Sequence, residues 1–144
     1  MSKDFFARYK HKIKSVSELC SIIGTLPRKE TAIYCHGVFD VVHPGHIRHL
    51  TYAKSKADIL IVSITADKHI KKGIYRPHIP QDIRALNLAA FEMVDYVIID
   101  KNEKPLKNLN KIRPNRHKYI SEAKLFGFNL LNKAQTNPKI LANV

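Results

Sequence analysis

The sequence is short of acidic residues, of cysteines and of long apolar runs, and each shortage removes a class of protein. Asp and Glu total 12 against 25 Lys and Arg, a formal charge of +13. Such a field attracts polyanions, which include nucleic acids, acidic membranes, nucleotides and phosphorylated metabolites. The basic residues are spread along the chain, and the densest cluster, Lys68-His69-Ile70-Lys71-Lys72, is short. They do not alternate with aromatic residues as in single-strand binders, so no specific nucleic-acid partner is expected. The two cysteines, Cys20 and Cys35, lack metal-ligand spacing; a disulfide between them stays open, with nothing that signals an oxidising compartment. No apolar run approaches the roughly 20 residues of a membrane span. The longest such stretch, residues 59–64, is strand-sized. The start, Met1 to Phe6, has no apolar segment followed by a small-residue cleavage site. A cytoplasmic protein without a membrane span is expected. Internal repeats and low-complexity segments are absent as well.

What remains is a chain of 144 residues with 44% hydrophobic content, enough for one domain around one core. Residues 1–14 are polar and basic and read as a mobile arm. Ser15-Val16-Ser17-Glu18 matches a capping box, in which the serine and glutamate satisfy free N–H groups reciprocally. Leu19, Ile22 and Ile23 then fall on one helical face, with Gly24 as C-cap. Thr31 to Cys35 reads as a strand. From His46 the residues Ile47, Leu50, Ala53 and Ala57 recur at helical spacing. Residues 58–65 are apolar almost throughout, which suggests a strand buried on both faces, as in a parallel sheet. A basic loop, 66–80, precedes a helix over 81–93 and a strand over 94–99. Leu106, Leu109 and Ile112 mark a short helix that ends before Pro114. This alternation predicts an α/β fold: a doubly wound parallel sheet in an α/β/α sandwich, Rossmann-like.

The informative segment is His36-Gly37-Val38-Phe39-Asp40-Val41-Val42-His43-Pro44-Gly45-His46. It leaves the C-terminal end of the first strand and opens a helix, the place where open α/β sheets bind ligands. The free N–H groups of that helix make an anion site. Gly37 and Gly45 let a ligand approach the backbone, and His43 and His46 are spaced to address one phosphate. Structural alternatives exist for the other polar residues. Asp40 caps a turn as readily as it meets a ligand. Arg84 fits a surface ion pair with Asp82 or Asp95, and the lysines around Lys72 fit a solvated loop.

Gly37-Val38-Phe39-Asp40 followed by His43-Pro44-Gly45-His46 resembles the first motif of the cytidylyltransferase-like nucleotidyltransferases, His-x-Gly-His. Lys72-Gly73, Arg76-Pro77, Arg84 and Val94-Asp95-Tyr96-Val97 extend the likeness to the nucleotidyltransferase domains of sugar-phosphate enzymes. These include heptose-phosphate adenylyltransferase and glycerol-phosphate cytidylyltransferase. The resemblance implies transfer of CMP or AMP from CTP or ATP to a phosphorylated sugar or polyol, with release of pyrophosphate. It implies that His43, His46 and Lys72 act on the phosphates. Gly37, Val38, Phe39, Asp40, Gly45, Arg76 and Arg84 would form the nucleotide site. Magnesium would arrive on the triphosphate with few protein ligands and no dedicated metal site, and a homodimer is implied. The domain would run over 15–115.

After Pro114 the likeness ends. The family supplies a further strand, a helix and a phosphate segment, Arg-Thr-x-x-Ile-Ser-Thr-Thr. Here Arg116, Ile120 and Ser121 echo that spacing too soon after His46. Residues 116–144, with Phe126, Phe128, Leu130 and Leu131, read as an atypical tail. The sheet is therefore expected to be incomplete at its C-terminal side. The alternative function is a nucleotide-binding domain without turnover.

Overall fold

Strands that are apolar on both faces need helices on both sides, and the computed structural model, which describes residues 3–119, has that arrangement. Four parallel strands, β1 (Ala32–Gly37), β2 (Ile59–Thr65), β3 (Tyr96–Asp100) and β4 (Arg116–Tyr119), lie in the order β3-β2-β1-β4. The helices are α1 (Lys3–Lys10), α2 (Val16–Ile23), α3 (Pro44–Lys54), α4 (Gln81–Ala89) and α5 (Leu106–Ile112). Strand side chains alternate between two cores. On one face Ile33, Cys35, Leu60, Val62, Ile64 and Val97 pack against Leu50 and Ala53 of α3 and Leu88 of α4. On the other, Tyr34, Ile59, Ile61 and Ile98 meet Leu19 and Ile23 of α2 and Ile112 of α5. The fold is thus the expected Rossmann-like α/β sandwich.

The capping box at Ser15 is present: Ser15 N–H donates to Glu18 Oε2 at 2.7 Å, and Glu18 N–H to Ser15 Oγ at 3.2 Å. Gly24 caps α2 with φ 71°, a conformation that favours glycine. Ile22, expected on the buried face, is 49% exposed, because the face of α2 that packs on the core carries Val16, Leu19, Cys20 and Ile23. Cys20 and Cys35 are not joined in a disulfide. Among the described residues no helix is long and apolar enough to cross a membrane.

Two sequence expectations fail. The presumed mobile arm is ordered: residues 3–10 are helical, and Tyr9 and Ile13 pack against the core. Ile13 bridges Val97 in parallel, with Lys14 N–H donating to Val97 O and Val97 N–H to Lys12 O, both at 2.9 Å. The reason is that β3 is an edge strand whose backbone groups need partners, and the arm supplies them. The second concerns the C-terminal side. Residues 116–119, assigned to an atypical tail, form β4 and pair with β1 from Ile33 to His36. The expected gap in the sheet is therefore filled, and Arg116 belongs to a strand. Ile120, Ser121, Phe126, Phe128, Leu130 and Leu131 lie outside the described residues.

Removal of residues 1–14 should uncover the β3 edge and the core beneath Tyr9 and Ile13. The expected loss is about 2 kcal/mol, or about 5–10 °C in melting temperature. An unchanged melting midpoint would reinstate the arm.

Candidate active site

β1 ends at Gly37 and the chain turns sharply. Phe39 adopts φ 51°, a left-handed conformation unusual for a bulky residue. Burial of its ring, 1% exposed, holds it there, beneath His46 at 5.3 Å between ring centroids. The next residue, Asp40, is buried, and its two oxygens accept the N–H groups of His78 and Ile79, each at 2.9 Å. Arg76 Nε adds an ion pair at 2.6 Å. Burial alone would raise the Asp40 pKa. The two N–H groups and the Arg76 charge outweigh it and hold the carboxyl below its ordinary value.

Arg84 is completely buried on α4 and reaches three chain segments. Its Nε donates to Ile79 O at 2.9 Å, Nη1 to Val38 O at 2.6 Å, and Nη2 to Asp67 Oδ1 at 2.5 Å. Asp67 is tied in turn to Gln81: the Asp67 N–H donates to Gln81 Oε1 at 3.0 Å and the Gln81 N–H to Asp67 Oδ2 at 3.2 Å. The loops after β1 and β2 and the segment entering α4 are thereby held together.

At the start of α3, His43 is the N-cap and Pro44 takes the first turn, where its missing N–H costs nothing. His43 Nδ1 accepts the Gly45 N–H at 3.1 Å, and His46 Nδ1 accepts the His43 N–H at 3.2 Å. The two rings lie 4.1 Å apart. A nitrogen that accepts cannot carry the proton in a neutral imidazole, so both rings carry it on Nε2. The result is two imidazole donors beside the N-terminal dipole of α3.

The structure therefore brings together Gly37, Val38, Phe39, Asp40, His43, Gly45 and His46, with Arg76 and Arg84 joined to them. The positions of two, Arg84 and Asp40, differ from expectation. Arg84 pairs with Asp67, not Asp82 or Asp95, and its guanidinium lies inside the loop framework. Asp95 instead pairs with Lys54 at 2.6 Å. Asp40 likewise faces inward and anchors residues 78–79. Gly37 and Gly45 do not have positive φ, whereas Gly73 does, at 107°. What the former pair offers is the lack of a side chain. Lys72 stands exposed next to Gly73 in the loop before α4. Sequence reasoning missed Asp67 and Gln81; their only signal is a polar residue at each end of the basic loop.

These features can be set beside known proteins. The cytidylyltransferase-like family matches residues 34–137, and the chain belongs to that family. It is 36% identical over 116 residues to the bifunctional protein HldE of Campylobacter concisus, covering 79% of this chain and 24% of that protein. With HldE of Aliarcobacter butzleri the identity is 37% over 103 residues, 70% of this chain and 21% of the relative. The chain thus spans about a quarter of the length of these curated relatives. The crystal structure of a lipopolysaccharide core biosynthesis protein from Thermoplasma volcanium shares the fold. Its TM-score is 0.58 at 23% identity, over 74% of this chain and 89% of that one.

His36 offers a test of the site's packing. It is 5% exposed, and burial pushes its pKa down from 6.5 to about 4, against the pull of Asp100. The unfolded chain then binds more protons between those values. Stability is full above about pH 6.5 and falls as the pH drops towards 4, by about 3 kcal/mol in total. Chemical denaturation across this range should show that slope, and His36→Asn should lose most of it. A variant with the wild-type slope would mean that another group is responsible.

Proposed function

We propose that the chain is a nucleotidyltransferase that moves CMP or AMP from CTP or ATP onto a phosphorylated sugar or polyol, releasing pyrophosphate. The observation that carries this reading is the reciprocal cap of His43 and His46, which leaves both rings as Nε2 donors at a helix N-terminus. Membership of the cytidylyltransferase-like family and the identity to HldE proteins support it. So does the resemblance to sugar-phosphate enzymes.

In this reading an oxygen of the acceptor phosphate attacks the α-phosphorus. A new P–O bond forms, the bond to the bridging oxygen breaks, and its electron pair leaves with pyrophosphate. The nucleophile is already an anion, so no base need remove a proton. Negative charge grows on the oxygens around the α-phosphorus and on the leaving group. His43 and His46 would donate to those oxygens, aided by the α3 dipole. Lys72, exposed on its loop, would meet the outer phosphates. Arg76, Asp40 and Arg84 would keep the loop in place, and Phe39 would set His46 from below. Magnesium is expected as the companion of the triphosphate. Among the described residues no group of three His, Cys, Asp or Glu could hold a metal ion, and Asp40 is already engaged. No step is assigned to the metal.

A second reading, nucleotide binding without turnover, is favoured by the departure from Arg-Thr-x-x-Ile-Ser-Thr-Thr after Pro114. One experiment separates the two. Pyrophosphate release is measured with CTP and ATP over a panel of sugar and polyol phosphates, and nucleotide affinity is measured alongside. His46→Ala should lower kcat by about 100- to 1000-fold with a smaller change in affinity, because its donor bond strengthens in the transition state. Nucleotide binding with no release from the wild type would establish the second reading. A change confined to KM would remove His46 from the chemical step.

A further inference from the structure

A second polar cluster stands at the C-terminal ends of β1, β2 and β3, on the face opposite α3 and α4. Ser63 and Asp100 are fully buried there and His36 nearly so, while Thr65 is half-buried at the end of β2. The His36 ring connects them. Its Nδ1 lies 3.0 Å from Ser63 Oγ and 4.0 Å from Asp100 Oδ2, and its Nε2 lies 3.2 Å from Thr65 Oγ1. Asp100 Oδ1 accepts from the backbone and side-chain nitrogens of Asn102, each at 2.9 Å. Asp100 Oδ2 is buried without a hydrogen-bond partner among the described residues.

An unsatisfied carboxylate oxygen inside a protein is costly, and two buried groups beside it can relieve it: the Nδ1 side of His36 at 4.0 Å and the Tyr34 hydroxyl, which interacts with both Asp100 and Ser63. Burial keeps the imidazole neutral near pH 7, so it carries one proton. With that proton on Nδ1 the ring donates to Ser63 Oγ at 3.0 Å and faces the Asp100 carboxylate, and Nε2 is left as an acceptor. The Thr65 hydroxyl then points its hydrogen at Nε2. The competing acceptor, Gly37 O, is farther away at 3.5 Å. What Thr65 offers to the mouth of the sheet is an oxygen lone pair. A phosphate, which only accepts, gains nothing from it; a ligand hydroxyl, which donates, does.

We propose that Thr65, oriented by Asp100 through His36, accepts a hydrogen bond from a hydroxyl group of the acceptor substrate. The end of β2 thereby selects a hydroxylated sugar or polyol phosphate over its deoxy counterpart. Thr65 pairs with Asp100 in register, and its neighbour Ile64 pairs with Gly37, where the loop to His43 and α3 begins. The hydroxyl subsite therefore adjoins the proposed site of transfer. This inference rests on the nucleotidyltransferase reading for the identity of the ligand. Asp100 and His36 are positioning residues, and Thr65 is the contact.

The test is equilibrium binding of glucose 1-phosphate and mannose 1-phosphate, each against its monodeoxy analogues, with pyrophosphate release recorded separately. In the wild type, loss of one particular hydroxyl should weaken binding by about 3- to 10-fold. Thr65→Val should bind the parent and that analogue alike, and Thr65→Ser should restore the difference. Asp100→Asn should shrink it, because the proton is no longer drawn to Nδ1. Circular dichroism of each variant checks that it folds. Wild-type indifference to every deoxy substitution, failure to bind either parent sugar phosphate, or a preference that survives Thr65→Val would overturn the inference. Hydroxyl selection without pyrophosphate release would instead sink the transferase reading and leave the subsite standing. Release that ignores the missing hydroxyl would do the reverse.

Discussion

A buried guanidinium organises this molecule. Arg84 cannot lose its charge, so its burial is tolerable only if its N–H groups are met by oxygens. Those oxygens come from Val38 in the loop after β1 and from Asp67 and Ile79 at the two ends of the connection between β2 and α4. The cost of an unmet donor is therefore what holds the loops in register. Asp40 follows from the same constraint. With residue 79 fixed by Arg84, the N–H groups of His78 and Ile79 are in place to receive the carboxylate. Arg76 is then held against Asp40, at the foot of the loop that carries Lys72.

On this framework the candidate site residues are divided between the two faces of the sheet. α3 presents His43 and His46 on one face, beside β1. Strand order reverses between β1 and β4, and open α/β sheets bind ligands at such a crevice. The opposite face ends in the His36, Ser63, Thr65 and Asp100 cluster. The two groups meet at Gly37, which closes β1 and opens the loop to α3. A donor nucleotide at β1 and an acceptor over β2 would lie on either side of that junction, as transfer between two bound molecules requires.

The sequence made the strand–loop–helix around His36 to His46 legible because hydrophobic periodicity and the Pro-Gly turn are local signals. The parallel sheet was legible from the apolar run of β2. What could not be read is where a polar side chain points. Arg84 and Asp40 look like surface residues in one dimension, and only three-dimensional closure turns them inward. The N-terminal segment misled for a related reason: its lysines suggest solvent, while its backbone completes the edge of β3. β4 was hidden by composition, since Arg116-His117-Lys118-Tyr119 has no strand-like apolar run and gains its place from pairing with β1. Thr65 and Asp100 were invisible as a pair because they lie on different strands and meet only through register.

The most direct measurement is a crystal structure of the chain with a non-hydrolysable CTP or ATP analogue and magnesium. Nε2 of both His43 and His46 should lie within about 3 Å of phosphate oxygens, with Arg84 still bonded to Val38, Asp67 and Ile79. A triphosphate seated away from the N-terminus of α3, or an Arg84 that leaves its three partners to reach the phosphates, would contradict that arrangement.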